Sequence, residues 1–133
     1  MKGRVLVAGE AEGPLLRLEK PLSFWGGVDA DTGRVIAIRH PQQHQLLAGQ
    51  IIALERSIGS SSGSSVLLEL LDQGCGPLGI VLRHADEILA LAALVAREIG
   101  IASIPVIQVS DSDFRQLPPV LHISVTGEIS AAQ

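Results

Sequence analysis

Apolar residues fall in short clusters over residues 1–55 and in longer, helix-spaced stretches after residue 63. GRVLVAG (3–9) predicts a short strand and PLLRLE (14–19) a second, with Gly13-Pro14 as the break between them. KPLSFWGGVDADTGRV (20–35) has no period. It holds the only Trp, one of the two Phe residues, Gly26-Gly27 and an Asp-rich turn from Asp29 to Gly33. RVIAIR (34–39) predicts a third strand, and HPQQHQLLAGQ (40–50) a polar loop. QIIALE (50–55) predicts a fourth strand, whose near-continuous apolar centre suits burial on both faces.

The pattern then changes mode. SSVLLELLDQG (64–74) has helical spacing and a closing Gly74, and LGIVL (78–82) reads as a buried strand. ADEILALAALVAREIG (85–100) is the clearest helix, with Asp86 and Glu87 in its first turn, Arg97 in its last and Gly100 at its end. IPVIQV (104–109) is a strand, SDSDFRQL (110–117) a short capped helical turn, and PVLHISVTGEI (119–129) a closing strand and hairpin. A β-rich first third followed by βαβαβ predicts a mixed α/β fold, a small sheet with crossover helices and an added β layer, in one domain spanning residues 1–133.

Composition narrows the function classes. The chain has 133 residues, 47% apolar but only 2% aromatic, with a formal net charge of −4 and no basic run. Clustered cations and stacking aromatics, which a nucleic-acid surface needs, are both missing. Cys75 is the only cysteine, so there is no internal disulfide, and one thiolate is too few for an iron–sulfur cluster. The first apolar run meets Glu10 too early for a signal peptide, and the longest, ILALAALVA (88–96), is well below the ~20 residues of a membrane span. These features lead us to expect a cytoplasmic protein with no membrane contact.

The chemistry concentrates at Gly59–Ser65, where five serines and two glycines fill seven positions between a predicted buried strand and a predicted helix. Amides at a helix start lack intrahelical partners and lie at the positive end of the helix dipole, and glycines let a ligand approach the backbone. Such a junction suits a carboxylate or phosphate. The plain alternative is a helix cap, from Ser60 or a neighbour, inside a solvated loop. A P-loop is excluded because no Lys occurs from Pro21 onward. Gly59-Ser60-Ser61-Ser62-Gly63 fits the nucleophile-elbow spacing with Ser61 central, followed by Asp86 or Asp111 and then His122. A missing oxyanion segment upstream and the short chain count against that hydrolase. His40, His44, His84 and His122 are scattered. The i, i+4 pair His40/His44 lies in a Pro- and Gln-containing loop, so no metal site is expected in this chain.

PLSFWGGVD (21–29) with Thr32-Gly33, AGQ (48–50) and the Gly-Ser stretch together resemble the small subunit of the aconitase X family, over nearly the whole chain. The resemblance implies a swivelling β/β/α domain like that of aconitase, closing over a larger subunit that carries an iron or iron–sulfur centre. It implies a hydro-lyase acting on a β-hydroxy acid, cis-3-hydroxy-L-proline first and mevalonate 5-phosphate as the runner-up. The family's base is the serine after the glycine of this turn. Carried over, that makes Ser60 catalytic, with Gly59, Ser61, Ser62 and Gly63 as substrate-binding positions. Relatives often carry a basic residue just before the glycine, where this chain has Ser57-Ile58, and Arg56 is displaced from that place. Dehydration also needs a Lewis acid, and one thiol with scattered histidines supplies none, so the residues independently predict half of an enzyme. A non-catalytic swivel or phosphocarrier module, phosphorylated on one of the four histidines, is the reading from another class. Phe24 and Trp25 read either as a staple to the core or as an edge facing partner or substrate.

Overall fold

A computed structural model describes residues Met1–Gln133. Seven strands form one sheet in the order β1-β5-β4-β3-β2-β6-β7. These are β1 (Arg4–Val7), β2 (Ala11–Leu18), β3 (Ile51–Leu54), β4 (Gly79–Leu82), β5 (Val106–Gln108), β6 (Val120–Ile123) and β7 (Ile129–Ala131). The centre, β2-β3-β4-β5, is parallel, and β1, β6 and β7 join antiparallel. The sheet curls so far that its ends meet: Lys2 bridges Glu128, and the Gly3 amide donates to the Gly127 carbonyl at 2.9 Å.

Period-two side chains then face two different cores. Ile52, Leu54, Ile80 and Leu82 point toward the two long helices, α2 (Gly63–Gln73) and α3 (Glu87–Glu98), and meet Leu67, Leu70, Leu89 and Ala93. Ile51, Ala53, Val81 and Ile107 point into the curl, where Leu117, Leu121, Ile123 and Ile129 close the second cluster. Every residue of β3 and β4 is buried, as the continuous apolar runs foretold. Gly74 ends α2 in the left-handed region at φ 76°, which a residue without a Cβ adopts at little cost.

Two expected features differ. Gly13-Pro14 does not break the chain but sits inside β2, where the strand changes partners. Ala11–Pro14 pair with β6, and Leu15–Leu18 pair with β3. RVIAIR (34–39) is not a strand. Arg34 and Val35 make single bridges to Leu46 and Val28, and the chain then turns at Ile38-Arg39, with Arg39 at φ 65°. Its β-branched residues carried the strand signal, but the Gly27 carbonyl accepts both the Ile36 and the Ala37 amides, which bends the segment out of any ladder. The aperiodic stretch before it contains a four-residue turn, α1 (Phe24–Gly27), whose Trp25 and Gly26 leave helical geometry. No helix is long and apolar enough to cross a membrane.

Candidate functional site

The Gly-Ser stretch leaves the carboxyl end of β3 and winds into α2, at the end of a parallel sheet where α/β folds place ligands. Gly59 stands at φ 88°, and a Cβ there would lie 2.7 Å from the Ser23 hydroxyl, so backbone shape and space both demand glycine. Ser60, Ser61 and Ser62 are exposed, while Gly63 is buried with Phe24 beside it. The turn therefore presents Gly59 and the three serines to solvent and uses Gly63 to seat α2 on the preceding segment.

Capping is arranged differently from the simple expectation. The N-cap is Ser62, already in helical geometry and with no side-chain cap bond. The amides of Gly63, Ser64 and Ser65 are used in tight bonds to the carbonyls of Ser60, Ser61 and Ser62 at 3.0–3.1 Å. The Ser62 amide donates to Ser60 Oγ at 3.1 Å. The amides of the turn left without a partner in the chain are those of Gly59, Ser60 and Ser61. One hydroxyl oxygen thus receives a backbone N–H at the positive end of an 11-residue helix, beside three free N–H donors.

A second element fixes this turn. Asp86 is buried at 7% exposure. Its Oδ1 accepts from the Ile88 and Leu89 amides at 3.0 and 3.1 Å, so Asp86, which the sequence places in the first turn, is the N-cap of α3. Its Oδ2 accepts from both the amide and the hydroxyl of Ser57 at 2.6 Å. One carboxylate therefore ties the start of α3 to the approach of the serine turn. Sequence reasoning missed this clamp, because its partners lie 29 positions apart and neither spacing nor period links them. Ser57, which stands near the place of the family's basic residue, is an anchor here.

The other candidates lie elsewhere. His122, on β6, approaches Glu10 at 3.3 Å, and its ladder partner is Glu12. That is the opposite end of β2 from the serine turn, about 20 Å away at strand rise, so Ser61, Asp86 and His122 form no triad. His40 Nδ1 accepts the Gln42 amide and Nε2 donates to the Lys20 carbonyl, both at 3.0 Å, so neither nitrogen is free for a metal. Cys75 Sγ donates to the Asp31 carbonyl at 3.6 Å. No three His, Cys, Asp or Glu side chains converge on a metal position, so this donor set does not fit an iron centre. Phe24 is buried and Trp25 is 61% exposed, so the pair divides between core staple and open edge. Asp29 Oδ1 accepts the Asp31 amide at 2.9 Å and fixes the Asp-rich turn.

With this geometry established, known proteins place the chain. The family described as the aconitase X swivel domain matches residues 1–131. A cis-3-hydroxy-L-proline dehydratase from Hypocrea jecorina is 43% identical over 126 residues, 95% of this chain but 21% of that protein. A phosphomevalonate dehydratase small subunit from Pyrococcus furiosus is 38% identical over 128 residues, 96% of this chain and 90% of that one. The crystal structure of Thermococcus kodakaraensis aconitase X (holo-form) superposes with a TM-score of 0.86 at 32% identity, covering 99% of this chain and 97% of that chain. The chain spans about a fifth of the length of the Hypocrea enzyme that it matches.

Proposed function

The chain belongs to the aconitase X family as its swivel domain, and on that premise we propose that it is the small subunit of a hydro-lyase and supplies Ser60 as the base that removes the α-proton of a β-hydroxy acid. The observation that carries this reading is the Ser62 amide aimed at Ser60 Oγ. A hydrogen bond to the charged form of an acid favours that form, and the dipole end of α2 acts in the same direction. A serine so placed holds developing alkoxide character better than a free hydroxyl. The unpartnered amides of Ser60 and Ser61 suit a substrate carboxylate, with the Ser61 and Ser62 hydroxyls beside them. Gly59 lets the turn approach a ligand, and Arg56, exposed and in no ion pair, is the cation nearest in sequence. The Lewis acid that assists loss of hydroxide is assigned to the larger partner, since the residues here do not form one.

Cis-3-hydroxy-L-proline is the preferred substrate, because the dehydratases of that name are 43% and 50% identical over the aligned lengths. Mevalonate 5-phosphate is the second reading, favoured by the two-chain arrangement in the small subunit that this chain covers almost end to end. The test is reconstitution with the cognate large subunit and iron, assayed on both acids. Ser60→Ala is expected to lower kcat by about 10²–10⁴-fold with KM little changed, while Ser61→Ala loses far less. Wild-type proton abstraction in the Ser60→Ala complex would refute the base.

A further inference from the structure

The curl of the sheet has a mouth at the carboxyl ends of its parallel strands, on the face away from α2 and α3. Arg17 of β2 pairs in register with Ala53 of β3, and Ala53 with Val81 of β4. Ala53 and Val81 belong to the cluster inside the curl. Period two then puts the next rung, Glu19, Glu55 and Arg83, on that same face just beyond the strand ends. These charges and Arg17 surround a cavity of about 210 Å³, with Ala53 in its floor and Phe114 in its wall. Mouths of curled sheets and carboxyl ends of parallel strands are both places where small ligands bind.

Two carboxylates and two guanidiniums share this space without satisfying one another. Glu55 Oε1 stands 3.9 Å from Arg83 Nη1 and 3.6 Å from His84 Nε2, both beyond hydrogen-bond length. Glu19 is exposed and in no ion pair. The guanidiniums, by contrast, are fixed in advance. Arg17 donates to the carbonyls of Phe114, Arg115 and Leu117 at 2.9–3.3 Å, and lies over the Phe114 ring at 5.7 Å. Arg83 donates to Asp111 from Nε and Nη2, which leaves Nη1 without a hydrogen bond.

This lining selects its ligand by charge. A plain anion would meet Glu19 and Glu55, and a plain cation would meet Arg17 and Arg83. A small zwitterion satisfies both sets, its carboxylate on Arg83 Nη1 and its ammonium on Glu55. The volume lies below the ~300–1,000 Å³ of a pocket for a drug-sized molecule, too small for a nucleotide or a peptide. We infer that the mouth of the curl is a binding site for a free small α-amino acid, separate from the serine turn. This site stands whether or not Ser60 is a base.

The test is a nuclear magnetic resonance titration of the isotope-labelled full chain with L-proline. Its dissociation constant should be about 1 mM or below, with saturable shifts at the amides of Ala53, Glu55 and Phe114. Pyrrolidine, which lacks the carboxylate, and tetrahydrofuran-2-carboxylate, which lacks the ammonium, should each bind at least ~10-fold more weakly. Glu55→Gln keeps the shape of the side chain and breaks no hydrogen bond, so circular dichroism should show it folded. It should lose at least ~10-fold in affinity for L-proline. No saturable shift by ~10 mM, wild-type affinity in Glu55→Gln, or equal binding of either single-charge analogue would overturn the inference. So would shifts centred on Gly59–Ser62, which would place the amino acid on the serine turn instead.

Discussion

Asp86 shows how much a single side chain organises here. Its two oxygens accept four hydrogen bonds from two segments, and burial makes each of them matter. Asp86→Ala should destabilise the chain by about 2–4 kcal/mol in urea unfolding, because a helix cap is lost and the Ser57 donors are stranded. Asp86→Asn should cost less, keeping the Oδ1 acceptor while placing an N–H against the Ser57 amide. Amide hydrogen exchange should rise at Ser57 and at Ile88 and Leu89 together in both variants. Faster exchange at α3 alone would show that the serine turn does not depend on this carboxylate.

The two long helices begin in different ways. α3 starts on a carboxylate cap, whereas α2 winds out of a tight serine turn with no side-chain cap at Ser62. Ser62→Ala should therefore change stability by less than about 0.5 kcal/mol, in contrast to Asp86→Ala; a loss above 1 kcal/mol would mean that its hydroxyl caps the helix in solution. The spacing of apolar residues located both helices within two residues of their ends, because amphipathic period and end signals are local properties. It misplaced a strand at 34–39, since β-propensity reports a half-buried surface and only the rest of the fold decides whether a ladder is there to join.

For the whole molecule, the carboxyl end of the sheet is also held by Arg83, which bonds Asp111 with two nitrogens at 2.6 and 2.9 Å and joins β4 to α4 (Asp111–Arg115). The bond and charge of Arg83 hold the Asp111 carboxyl below its usual value of 3.8 and raise the guanidinium above its own. A depressed carboxylate contributes stability that is full above the unfolded value and lost as pH falls through the folded one. Acid unfolding below pH 3.8 should accordingly be shallower in Asp111→Asn than in the wild type, with the gap narrowing in high salt because both groups are exposed. Identical acid limbs in the two proteins would show that the pair does not persist in solution.

Sequence alone determined the parallel βαβαβ centre, the Val/Ile/Leu/Ala core, the lack of cysteine ligands and the position of the serine turn between a buried strand and a helix. All of these follow from composition or from neighbours a few residues apart. Tertiary structure alone decided the rest. The curl brings residues 1–3 to residues 127–129. Asp86 reaches Ser57, and the Gly59, Ser60 and Ser61 amides stay free. Each of these depends on the distance between residues far apart in the chain, which burial and backbone hydrogen bonding set and local pattern does not encode.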